Sequence, residues 1–172
     1  MFDKIVEFLI SIIELFKFWV VIRQWQSGVN LRLGRWTGKV LKPGFHYIFP
    51  FGIDEVSTID MIPTVAELDP QTVLTKDKVV VVTQALVKYQ VVKPEVCLIE
   101  VNNEEDAVKE FTQGAIHTII AETDYATADV KEIQKKAKEE AHKEVIKWGI
   151  KINSVVLKSF GKMSSLRLLN SK

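Results

Sequence analysis

A chain of 172 residues with 47% hydrophobic and 26% charged residues can bury a real core, which excludes a disordered polymer and suggests one domain with an appendage. Its 23 basic and 22 acidic residues leave a formal net charge of +1. Without a clustered positive excess, nucleic acid is excluded as a main partner. The lone Cys97 excludes an intramolecular disulfide framework and reads as a half-buried small apolar side chain.

From Ile5 to Ile22 the chain is almost wholly apolar, interrupted by Glu7, Ser11, Glu14 and Lys17. Wound as a helix, Lys4, Glu7, Ser11 and Glu14 share one stripe, an arc of about 140° with Asp3 and Lys17 at its edge. The opposite face carries Ile5, Phe8, Leu9, Ile12, Ile13, Phe16 and Trp19, and these are the expected membrane-contacting residues. No small-residue cleavage site follows, so the segment reads as retained. The gain from about thirteen Ile, Leu, Val and Phe is brought near zero by Glu14, Glu7 and Lys17. Three membrane arrangements therefore stay open: a span, a helix lying in the interface plane, or several copies with Glu7, Glu14 and Lys17 turned toward neighbours. A core helix is the plain alternative. Basic residues after the segment outnumber Lys4 before it, so a spanning segment would put the domain on the cytoplasmic side. The expected organisation is an anchor helix over 1–24, a domain over 25–162 and a short tail over 163–172.

The body begins with strand chemistry. Gly28 to Leu33 alternates and runs into Gly34 and Gly38, which predicts a hairpin with Lys39 to Leu41 returning. Phe45 to Phe51 is aromatic-rich and closed by Pro50 and Gly52. Asp54 to Leu68 predicts one or two strands broken near Pro63. Lys78 to Val92, with four successive valines, is the strongest strand signal. Helix chemistry follows. Glu95 to Val101 predicts a short turn of helix after Pro94. Asn103 caps a longer helix with Glu104, Glu105 and Asp106 in its first turn and Ala107, Val108, Phe111, Ala115 and Ile119 in period. A second helix is expected from Ala128 to Trp148, stopped by Gly149. Its apolar face, including Val130, Ile133, Ala137, Ala141 and Trp148, is a candidate oligomer interface. Ile150 to Phe160 returns as a strand. Strands, then helices, then a last strand define an α+β domain.

No constellation points to catalysis. Gly34, Gly38 and Lys39 lack the spacing of a phosphate loop, and Val40 stands where its Ser or Thr belongs. His46, His117 and His142 fall on separate elements without metal-ligand spacing. Thr75-Lys76-Asp77 before the valine run reads as the polar start of a strand, with Asp77 bonding local backbone. The expectation is a protein that is not an enzyme, with no catalytic, cofactor-binding or metal residues.

Several short motifs recur in order: Arg32-Leu33-Gly34-Arg35, Lys42-Pro43-Gly44-Phe45, Phe49-Pro50, Ile59-Asp60, Pro70-Gln71, Leu74-Thr75-Lys76-Asp77 and Trp148-Gly149-Ile150. In this order and spacing they resemble the SPFH or band 7 family (stomatin, prohibitin, flotillin), stomatin-like members most closely, from about Trp25 to Leu168. The resemblance implies an α+β SPFH domain behind a hydrophobic membrane helix. It also implies a homo-oligomeric scaffold that organises a membrane patch or holds membrane proteins, proteases and channels among them. The other implied function is an adaptor that regulates a single membrane protease or channel without forming a large ring. By the same analogy Phe45, Tyr47, Phe49 and Phe51 touch the bilayer, the alternative being that they fill the core.

The pattern also has departures. Gln26, Ile62, His117, Ser159 and Met163 stand where the family usually carries Glu, Arg, Arg, Asp and Pro. Some inter-subunit ion pairs are therefore expected to be absent. Only Ser165 to Leu169 resembles the start of the family's long coiled coil, so assembly is expected to rest on the domain and the N-terminal helices.

Overall fold

The structure, a computed structural model, describes residues 18–162. The expected anchor face from Ile5 to Phe16, the polar stripe Glu7, Glu14 and Lys17, and the tail over 163–172 lie outside the described residues. The described chain forms two compact units, one from residues 18–62 with 91–102, the other from 63–90 with 103–162.

In the first unit β1 (Trp19–Ile22) pairs antiparallel with β4 (Gly44–Tyr47) as a two-stranded ribbon. Here the sequence expectation needs correction, because Trp19 to Ile22 is not the end of a helix. Trp-Val-Val-Ile is aromatic and β-branched, and its exposure alternates with a period of two: Trp19 and Val21 face out while Ile22 is buried. A three-stranded antiparallel sheet has the order β3-β2-β5, with β2 at Gln26–Arg32, β3 at Arg35–Leu41 and β5 at Asp54–Asp60. The return strand starts at Arg35, earlier than expected. Its extra residues are accommodated as a bulge opposite Asn30, where Gly38 takes a φ of 76°. The short helix α1 (Pro94–Glu100) packs on β2 and β5 and buries Pro94 and Cys97, the latter fully rather than halfway.

The second unit is organised by β8 (Val80–Val91). Along it Val81, Thr83, Ala85, Val87 and Tyr89 are buried at every second position, the signature of a strand with a packed face. The short strands β6 (Thr64–Glu67) and β7 (Gln71–Leu74) pair with successive halves of β8. One residue is inserted between them near Pro70, where the register shifts. The last strand β9 (Ile150–Lys162) also pairs with β8, and the Thr83 hydroxyl donates to the Ser159 carbonyl at 3.0 Å.

Two helices complete this unit. The first, α2 (Glu104–Glu122), packs on β6 and β7 and is capped by Asn103, whose side chain accepts from the Glu105 and Asp106 N–H groups. The second, α3 (Val130–Val145), packs on α2 and β9 and is capped by Asp129. A 3-10 turn then leads to Gly149, whose φ of 73° reverses the chain into β9. The proposed oligomer face on α3 is a second correction. Ile133, Ala137 and Ala141 are 2%, 0% and 2% exposed and line the core of their own unit. An apolar stripe at helical spacing records burial without saying against what. Val130 is half-buried, and Trp148 meets Phe111 edge-on at 5.1 Å.

Asp77 bonds locally as expected and also reaches further. Its Oδ1 accepts from the Thr75 hydroxyl and, at 3.1 Å, from the Tyr125 N–H, 48 residues away. The Thr75 bond first, then the Tyr125 bond, holds this carboxyl below the usual carboxylate range. Asp77 thus ties the β7–β8 turn to the segment between α2 and α3, which sequence locality could not show.

Replacing Ala137 with Leu is expected to destabilise the chain by about 1–3 kcal/mol through overpacking, read from the midpoint of urea unfolding. An unchanged midpoint would mean that this face is not core.

Candidate membrane-facing surface

Among the exposed apolar side chains described on the first unit, two groups cluster. On the β1–β4 ribbon, Trp19 stands opposite Tyr47 and Val21 opposite Phe45, so all four share one face. All are exposed, Tyr47 most of all at 81%. The rings contact one another rather than a core: Phe18 meets Trp19 edge-on at 5.1 Å and Phe45 meets Tyr47 at 5.0 Å. A core-filling role for these aromatics is therefore overturned.

The second group sits at two adjoining loop tips. The β2–β3 turn is Leu33-Gly34, with φ of 49° and 75°, the two left-handed residues that a tight hairpin turn requires. Gly34 takes this conformation freely, but Leu33 does so at a cost of roughly 1–2 kcal/mol. Leu33 is also 76% exposed. In the loop between β4 and β5, Phe51 repeats the pattern with a φ of 64°, and Phe49 and Phe51 are both more than half exposed. The Leu33 N–H donates to the Ile53 carbonyl at 2.8 Å, joining the two tips. Strained backbone that displays large apolar side chains to solvent is doubly unfavourable unless something covers those side chains.

Asp54 holds these tips in place. Arg32 Nε donates to Asp54 Oδ1 at 2.7 Å and Arg32 Nη2 donates to Oδ2 at 3.0 Å. The Phe49 N–H donates to the same Oδ2 at 3.0 Å. The Asp54 side chain is only 1% exposed. Hydrogen bonding from Arg32, which outweighs the opposing effect of burial, is the main reason its carboxyl is lowered from 3.8 to about 2; the Phe49 N–H and the Asn30 side chain add to it. The guanidinium also lies 4.4 Å from the centroid of the Phe49 ring, so one arginine clamps both the carboxylate and the aromatic. With Arg35 on the far side of the turn, Leu33 and Gly34 are flanked by two cations. Apolar tips flanked by guanidinium groups suit an interface where acyl chains meet anionic headgroups.

Of the residues expected at the membrane, Phe49 and Phe51 are brought together here, and Trp19 joins the ribbon face instead of a helix. Arg32, Leu33 and Asp54 were missed by sequence reasoning. The available signal was an apolar residue inside a tight Arg-Leu-Gly-Arg turn, with an aspartate following the aromatic loop. Among the described residues no group of three or more His, Cys, Asp and Glu could hold a metal. His46 Nε2 lies 2.7 Å from the Lys42 carbonyl, His142 Nδ1 accepts from the Ile152 N–H at 3.3 Å, and His117 is exposed. Among the same residues no helix is long and apolar enough to cross a membrane.

Fold and surface together define an α+β domain with an exposed aromatic and apolar edge beside basic side chains. Residues 20–161 match the family described as SPFH domain / Band 7, and the chain belongs to that family. It is 36% identical over 155 residues to an uncharacterised protein of Methanocaldococcus jannaschii, covering 87% of this chain and 77% of that protein. It is also similar to Stomatin-1 of Caenorhabditis elegans (29% identical, 80% of this chain, 42% of the relative). Mouse stomatin is 26% identical, over 80% of this chain and 49% of the relative. The chain thus spans about half the length of the stomatins it matches.

The Asp54 pair makes stability depend on pH. A carboxyl whose folded pKa is lowered stabilises the fold above its unfolded value of 3.8 and loses that contribution as pH falls toward 2. Allowing for the half-exposed Arg32, the contribution is about 1–2 kcal/mol. Between pH 5 and about 2.5, wild type should therefore lose more stability than Asp54→Asn, by most of that amount. Parallel urea-midpoint curves for the two proteins would contradict the assignment.

Proposed function

We propose that this chain is a non-enzymatic, membrane-associated and self-assembling scaffold of the stomatin and prohibitin type. In this reading the N-terminal residues supply the main attachment, and the first unit rests on the bilayer through Leu33, Phe49, Phe51 and the aromatic face of the ribbon. One observation carries the membrane half: large apolar side chains held exposed on strained backbone by a buried carboxylate paired with Arg32. Family membership supports the scaffold half. Copies meet through surfaces other than the buried stripe of α3. A second reading, an adaptor for one membrane protease or channel without a large ring, is favoured by the accessible groove between α2 and α3 described below.

The tests separate attachment from assembly. Deleting residues 1–17, which leaves β1 paired with β4, should convert tight attachment into weaker binding to anionic vesicles that salt reduces. In that background Leu33→Ser and Phe51→Ser should each weaken binding about tenfold in a vesicle flotation assay, since each exposed side chain has about 1–2 kcal/mol to gain from burial. Full-length chain that stays soluble and monomeric without detergent would refute the reading. Mass measurement in detergent distinguishes a multi-copy scaffold from the adaptor.

A further inference from the structure

A groove of about 700 Å³ runs along the outer seam between α2 and α3, wholly within the second unit. Its floor is Phe111, Gly114, Ala115, Ile119 and Ala141. Gly114 is the informative member. It sits in the middle of a 19-residue helix, where glycine is roughly 1 kcal/mol less favourable than alanine. Nothing in the fold requires its lack of a side chain, because a Cβ built there meets no atom within 4 Å. The open space above Gly114 is the groove itself, so what the missing side chain preserves is access to the floor.

The walls carry a charge bias. Glu110 and Glu122 rise from α2, and Glu139, Glu140 and Glu144 from α3. The groove continues toward the start of α3 past Asp124, Asp129 and Glu132. The two lysines on its lining are already engaged, Lys136 with Glu132 at 2.8 Å and Lys143 with Glu140 at 2.7 Å. Glu110, Glu122 and Glu139 make no ion pair among the described residues. The stretch of α2 along the groove, Glu110 to Glu122, is roughly 18 Å long at 1.5 Å per residue, room for about three turns of a second helix.

We propose that this groove docks a basic amphipathic helix of a partner protein, with a narrow ridge of small or leucine side chains against the floor and lysines or arginines beside the carboxylates. A helix lying in an apolar groove is a recurrent mode of peptide recognition, and opposite charge along both walls fixes its position. Anionic lipid headgroups and nucleic acid are repelled by the same walls. The outer face of α3 in a second copy offers no matching ridge, because it alternates Lys and Glu in pairs of its own. The inference does not depend on membrane attachment, which the loop tips carry.

The test uses the full chain in neutral detergent and a fluorescent peptide of about 14 residues with leucine and alanine on one face and lysines on its flanks. Anisotropy should show binding that weakens with added salt. The same peptide with glutamate for lysine should not bind. Gly114→Trp should weaken binding at least tenfold while the unfolding temperature holds. Glu110→Lys with Glu139→Lys, one substitution on each wall and neither in an ion pair, should do the same without touching the floor. Equal binding of the acidic peptide, or unchanged binding to both variants, would overturn the proposal. A fall in subunit number caused by Gly114→Trp would overturn it in favour of a second copy as occupant.

Discussion

A carboxylate buried to 1% exposure must be compensated, and the way Asp54 is compensated sets the geometry of the candidate surface. Its oxygens take two bonds from Arg32 at the end of β2 and one from the Phe49 backbone after β4. Those bonds place the β2–β3 turn beside the aromatic loop, and the Leu33 to Ile53 bond joins them. Each tip then accepts a left-handed non-glycine residue that neither would choose alone. Strain and apolar exposure coincide at one place, held there by the buried Asp54 carboxylate, and burial against an apolar phase relieves the exposure where water does not.

The second unit has a different governing constraint. A strand buried at every second position needs a covered face, and the same sheet takes apolar helix stripes, α2 on β6 and β7 and α3 on β9. Alanines at 115, 137 and 141 bring the helices close, and Gly114 opens the seam on its outer side. A formal net charge of +1 therefore averages two opposed surfaces, a hairpin tip flanked by arginines and a helical groove walled by glutamates. Each surface suits a different class of partner, and the composition alone conceals both.

Much of the fold was legible because periodicity is a direct imprint of burial. The valine-rich strand β8, the Asn103 cap, the Gly149 stop and the returning β9 follow from local chemistry. Trp19 to Ile22 was misassigned because an apolar run preceding it masks the switch from a helical to a strand period, and pairing with β4 decides the outcome. The buried stripe of α3 was legible as apolar but not as covered. The long-range ties of Asp54 and Asp77 were not legible, since Arg32 and Tyr125 lie 22 and 48 residues away and only register or tertiary packing brings them together. The SPFH resemblance came from ordered motifs, several of which prove to be turn and loop chemistry: the Leu33-Gly34 turn, the Phe49-Pro50 loop and the Gly149 cap.

The most direct measurement of the account's centre is bilayer depth at the two tips. Spin labels at Leu33→Cys and Phe51→Cys, in a Cys97→Ser background and with the full chain in anionic vesicles, report accessibility to oxygen and to an aqueous nickel complex. Both labels are predicted to be reached by oxygen and shielded from nickel, and to lose that shielding when Asp54 is replaced by Asn. Labels as open to nickel as on an unfolded chain would contradict a membrane-facing role for this surface.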